Sequence, residues 1–197
     1  MNLTTVSDKK SILLSNIYPT LHSPYQLPKN AVRSKVKGMN HIAMAFSFNL
    51  PSGQIAHVTE IIMNRYNITF SELVNAINNN PYNYVFEKMP SFLGVEDDMP
   101  MYVLTNESTH YGAGGICINH VFRRIMNTIQ DDFYILPSSV HELIIVPVLS
   151  IEVNESVLPK MVHEINCNIV DLNDRLSNHT YRLNYNSGTI TTIPYTK

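Results

Sequence analysis

The stretch Asp131–Pro147, DDFYILPSSVHELIIVP, holds two apolar strand-like runs separated by a Pro-Ser-Ser turn, with His141 and Glu142 directly behind the turn. Runs of this length bounded by turn residues read as a hairpin of buried strands, Phe133 to Leu136 and Leu143 to Val146. Placed among its neighbours, the pair is expected at the centre of an antiparallel sheet, with Ile135, Leu143, Ile145 and Val146 in the core.

Working outward, Met101 to Thr105 and Ala113 to Ile118 are expected as two more strands. Val121, Phe122, Ile125, Met126 and Ile129 then recur at helical offsets behind Asn119, an expected cap. Val157, Leu158, Met161, Val162 and Ile165 repeat that pattern behind Ser156, with Pro159 tolerated in the first turn. At the end of the chain Tyr181, Leu183 and Tyr185 alternate, Asn186-Ser187-Gly188 turns, and Thr189 to Ile193 returns as a hairpin partner.

Toward the N-terminus, Ile42, Met44, Phe46 and Phe48 alternate with small residues, the period of a strand with one strongly apolar face. Val58, Ile61, Ile62 and Tyr66 fall at helical spacing. A second helix opens on Thr69 and Glu72, the two ends of a capping box, and presents Phe70, Leu73, Val74 and Ile77 on one face. Residues 90–100 are expected as a loop and the best boundary between two halves. Residues 1–38 carry Pro19, Pro24 and Pro28 and read as an irregular basic arm with one short helix around Ser11 to Tyr18. The expectation is an α+β fold, a mostly antiparallel sheet with helices packed on one side, in which 39–98 and 99–197 form one compact domain.

At 197 residues with 44% hydrophobic content the chain can bury a full core. Fourteen Lys plus Arg against sixteen Asp plus Glu leave a net charge of -2, so no chain-wide field recruits nucleic acid or an anionic membrane. The exception is local: Lys9, Lys10, Lys29, Arg33, Lys35 and Lys37 face only Asp8 in the first forty residues. No base-stacking aromatics interleave with this run, so nucleic-acid binding is the minority reading. Cys117 and Cys167 are expected as free, buried thiols. No secretory signal and no apolar run of membrane-spanning length is legible, which makes a cytoplasmic protein the expectation.

The runs MYVLTN at 101, GAGGI at 112, DDFYILPSSVHELIIVP at 131, MVHEIN at 161 and LSNHTYRLN at 176 together resemble an uncharacterised family of low-GC Gram-positive bacteria (Firmicutes) and their mobile elements. The resemblance covers about residues 99–185 and implies no activity, since the family is catalogued as a domain of unknown function. The N-terminal half departs from the pattern, being shorter and lacking a run of charged helices, and Asn178 stands where the family has an acid.

A nucleophilic hydrolase needs a hydroxyl, a base within reach and an acid to orient it. Ser138, Ser139, His141 and Glu142 supply the types, and His110 would join them if its loop packs beside the turn. On extended chain, however, Glu142 points away from Ser139 and His141, and no Gly-x-Ser-x-Gly elbow is present. Metal binding finds no convergent set: the His-Glu-x-x-His motif fails after His141, and His163 with Cys167 makes one pair only. No Gly-Lys-Ser or Gly-Lys-Thr follows Gly112, Gly114 and Gly115, so no phosphate loop or other cofactor motif is expected. The leading expectation is a non-enzymatic binding or regulatory protein that contacts a protein partner, for instance a phage or mobile-element accessory protein inhibiting a host defence system. Its contact candidates are Arg33, Lys35, Lys37, Asn106, Tyr111, Arg123 and Arg124. The alternative is a hydrolase or small-ligand binder built on the Ser138/Ser139/His141 turn with His110. Oligomeric state is left open.

Overall fold

The computed structural model describes residues 6–80, 82–89, 101–137, 139–150 and 154–196. Helix α1 (Val6–Ser15) leads into strand β1 (Tyr18–His22), and β2 (Arg33–Lys35), β3 (Ala43–Asn49) and β4 (Ile55–His57) complete a four-stranded antiparallel sheet. Strand β3 is its centre: β1 covers one edge, while β2 pairs with Ala43–Ala45 and β4 with Ser47–Asn49 along the other. Both faces of β3 are covered, so Ala43, Ala45 and Ser47 are as inaccessible as Met44 and Phe46.

Helices α2 (Glu60–Tyr66) and α3 (Phe70–Asn79) follow, then β5 (Tyr84–Lys88), β6 (Tyr102–Asn106), a 3₁₀ segment Gly112–Cys117, α4 (Asn119–Ile129), β7 (Phe133–Leu136), β8 (Leu143–Pro147), α5 (Leu158–Asn168), β9 (Thr180–Asn184) and β10 (Thr189–Ile193). The strands from β5 onward form a six-stranded sheet in the order β10-β9-β7-β8-β6-β5, with every pair antiparallel. The opening hairpin is its central pair, in register from Phe133 opposite Pro147 to Leu136 opposite Ile144. Phe133, Tyr134 and Ile135 of β7 and Ile145 and Val146 of β8 are buried in succession, so both faces are covered, which is why these strands read as continuous apolar runs rather than alternating ones. The fold is therefore α+β, with two antiparallel sheets. One apolar cluster joins Ile17, Phe46 and Leu73 to Phe133, Leu143 and Tyr181, so the first 80 residues and the C-terminal half share a core.

Four expectations are corrected. Residues 6–38 form α1, β1 and β2 instead of an irregular arm, and every residue of β1 is buried. Its Pro19 fits because Pro lacks only a donor, and β1 is an edge strand. The stretch expected as a strand at 113–118 is the 3₁₀ segment, since Gly112, Gly114 and Gly115 give no side chains for a sheet face and the chain turns tightly against β1. Asn119 does not cap α4; its backbone N–H donates to Asn78 Oδ1, so α3 caps this helix from outside. Asn154, not Ser156, accepts the capping bond before α5, which starts at Leu158 with Pro159 in its first turn. The expected boundary loop, 90–100, lies outside the described residues.

The capping box on α3 is present as read: Thr69 Oγ1 accepts from the Glu72 N–H at 3.2 Å, and Glu72 Oε2 accepts from the Thr69 N–H at 2.8 Å. Lys10 of α1 pairs with the same carboxylate at 2.8 Å, tying the first helix to the third. Thr69→Ala removes the cap and is expected to lower the unfolding free energy by about 1 kcal/mol, read as a shift in urea midpoint at unchanged slope.

Candidate functional site

The two sheets meet where the loop after β6 reaches β1. Gly114 lies so close to β1 that a Cβ there would stand 2.0 Å from the Pro19 carbonyl oxygen, and a Cβ on Gly112 would meet the backbone of Thr105 and Asn106. Immediately before this contact the chain holds two non-glycine residues in the left-handed region, Thr109 and Tyr111, each at φ 57°. Such backbone is costly for a residue bearing a side chain and persists only where surrounding contacts hold it.

The contacts that hold it come from the turns singled out by sequence. Asn106 Oδ1 accepts from the His110 N–H at 3.2 Å and from Ser108 Oγ at 2.9 Å, while its Nδ2 donates to the His110 carbonyl. The Tyr111 N–H donates to His141 Nδ1 at 3.2 Å. The His110 and Tyr111 rings each stand 5.5 Å from that of His141. His141 Nε2 lies 3.4 Å from Asp174 Oδ2, and Ser139 Oγ accepts from the His141 N–H.

These bonds assign the chemistry. With Nδ1 accepting from a backbone N–H, the neutral imidazole carries its proton on Nε2, facing Asp174. No ring lone pair of His141 is left to take a proton from Ser139, whose oxygen is itself buried and engaged with backbone. His141 is thus a latch between the 106–111 loop and the segment carrying Asp174. Glu142 takes no part in the latch, and Ser138 lies outside the described residues.

Beyond Tyr111 opens a cleft of about 1080 Å³ between the sheets. Tyr18, Tyr82 and Tyr111 give it aromatic surface, with the first two rings 5.0 Å apart. Asn49, Gln54, Asn83 and Asn106 supply amides, and the ionisable groups besides the tyrosines are His110 and Glu107, the latter accepting from Asn83 at 3.1 Å. Among the described residues no Lys or Arg lines it. Asn49 Oδ1 accepts from the Tyr18 hydroxyl at 2.7 Å.

Sequence reasoning missed the polar chain behind this cleft. His22 Nε2, Thr20 Oγ1, Ser47 Oγ and His57 Nδ1 form consecutive hydrogen bonds of 2.8, 2.6 and 2.9 Å across β1, β3 and β4. Thr20 and Ser47 are fully buried. Each hydroxyl donates once, so the chain runs in one direction or the other: whichever ring nitrogen donates at one end, the nitrogen at the far end must accept. Burial pushes His22 down to about 3, with the neighbouring His57 adding to the effect, and burial also lowers His57. Of these four residues only Ser47 falls in a segment whose sequence reads as a strand. Nothing local pairs them.

The remaining candidates are dispersed. Arg33 donates to the Pro28 carbonyl, Lys35 and Lys37 are exposed, and Arg123 lies exposed on α4. Arg124 donates to the Tyr84 and Phe86 carbonyls, closing the free edge of β5. Tyr84 is buried against Gly115. Cys117 is half-buried, whereas Cys167 is exposed, with its sulfur 3.7 Å from His163 Nε2. Among the described residues no three ligands converge to hold a metal, and no helix is long and apolar enough to cross a membrane.

Residues 35–186 match the model of a protein family described only as being of unknown function. The match spans most of the chain, from within the N-terminal half to β9 and the turn after it. No curated protein and no solved structure matches the chain.

Proposed function

We propose, from the premise that the chain belongs to the DUF5688 family of unknown function, that it is a non-catalytic binding protein whose cleft between the sheets receives a segment of a protein partner. One observation carries the reading: the strained 106–111 loop and the Tyr18, Tyr82 and Tyr111 rings frame an amide-rich cleft, while the imidazole beside it has its lone pair engaged. Amide groups pair with peptide N–H and C=O alike, and tyrosine rings add apolar contact at low entropic cost. The absence of cationic lining speaks for a peptide over nucleic acid. No observation favours the hydrolase alternative, because Ser139 neither lines the cleft nor reaches a free base.

The finer reading places the chain in the cytoplasm of Firmicutes as an accessory protein of a phage or mobile element that occupies a host defence enzyme. Its support is the chain's size and composition.

Capture from extract of the native host separates the readings. An Asn49→Lys/Asn83→Lys pair, which places two cations in the cleft, is expected to lose proteins retained by the unaltered chain, whereas Ser139→Ala keeps them. Retention unaffected by the cleft pair, or abolished by Ser139→Ala, overturns the proposal.

A further inference from the structure

A smaller cavity, of about 340 Å³, lies apart from the cleft and shares no lining residue with it. Its walls come from both sheets, α3 and α4: Val74, Phe122 and Ile190 have open apolar surface toward it, and the buried Val36, Met44, Ile77, Ile116 and Ile118 close it from behind. The volume sits at the small end of ligand sites, roughly 300–1,000 Å³, too small for a folded segment of a partner. Lys35 and Lys37 also line it, both are exposed, and neither makes an ion pair among the described residues. Among the described residues no carboxylate lines it.

We propose that this chamber binds a small aliphatic carboxylate, with the hydrocarbon against Val74, Phe122 and Ile190 and the carboxylate between Lys35 and Lys37. The argument is complementarity at both ends. An apolar chamber favours hydrocarbon for each methylene removed from water. Two unpaired ammonium groups at the mouth favour an anion over a neutral amphiphile. The other polar wall groups do not compete: Asn78 accepts from the Asn119 N–H and donates to the Val74 carbonyl. Cys117, whose thiol burial pushes up to about 12, brings no negative charge to the chamber at neutral pH.

This assignment is independent of the cleft and gives Lys35 and Lys37 a ligand role in place of a partner contact. The test uses the full chain, labelled at isoleucine and methionine methyl groups, titrated with sodium octanoate below its micellar range and, in parallel, with octanol and acetate. Octanoate is expected to move the Ile77, Ile116, Ile190 and Met44 methyl signals saturably, with octanol binding more weakly and acetate moving none of them. Lys35→Gln/Lys37→Gln, altering two exposed side chains, is expected to weaken octanoate about five- to tenfold with octanol unchanged. Val74→Phe, which fills the chamber, removes binding of both. Absent methyl shifts, equal affinities for octanoate and octanol, or an unaltered affinity in the double lysine variant would each overturn the proposal.

Discussion

Acidification from pH 7 to pH 5 is expected to lower the unfolding free energy by about 2 kcal/mol through His22 alone, with His57 acting in the same direction. Both rings have folded-state values below the ordinary histidine value near 6.5, because burial disfavours the imidazolium. As pH falls below about 6.5 the unfolded chain takes up protons that the folded chain refuses, so stability drops. The loss through His22 levels off near pH 3, where the folded ring also protonates. Above about 7.5 both states are neutral and the term vanishes. Carboxylates such as Glu72 and Asp132, whose values are lowered by hydrogen bonds and cationic partners, weaken the fold only at more acid pH.

The polar chain makes this more than a desolvation effect. One added proton can be placed at either end with all three bonds kept, but two leave the Thr20 and Ser47 hydroxyls facing donors on both sides. Urea denaturation at half-unit pH steps measures the slope. In His22→Gln, whose amide reaches the same Thr20 oxygen without titrating, the slope between pH 6.5 and 5 is expected to fall to the residual set by His57 and His179, both also lowered by burial. An unchanged slope would show that acid sensitivity arises elsewhere.

Gly114→Ala is expected to cost about 3 kcal/mol, at the upper end of overpacking penalties. The added carbon would stand 2.0 Å from the Pro19 oxygen and 2.7 Å from its carbonyl carbon, and both are backbone. Relief requires β1 to move from the 3₁₀ segment, and with it the Tyr18 and Tyr111 sides of the cleft. Gly188→Asn is the control: it sits at φ +62° with nothing within 4 Å, a conformation asparagine adopts readily. Thermal unfolding of both variants tests the argument, and equal midpoints would refute it.

The family resemblance and the motifs were legible because they are local. Asp131–Pro147 carries its own turn and two apolar runs, and the structure places it as the central pair of the large sheet. Thr69 with Glu72 sets a helix start within four residues, and it forms as read. The reading failed where a partner distant in sequence decides the conformation. Pro19 reads as punctuation until β3 pairs with β1, and GAGGIC reads as a strand until Pro19 and Tyr84 press on its glycines.

The same division holds at the candidate site. That Ser139, His141 and His110 might meet was readable from neighbouring polar turns, but the state of His141 follows from a backbone N–H thirty positions away. Chemical types, the α3 capping box and the central hairpin were determined by sequence, since each depends on side chains a few residues apart. Which polar groups are buried together, which ring nitrogen holds a proton, and where two sheets leave a cleft were decided only by tertiary structure. Hydrogen bonds such as Thr20 to Ser47, and contacts such as Gly114 against Pro19, exist only once strands remote in the chain are brought into register.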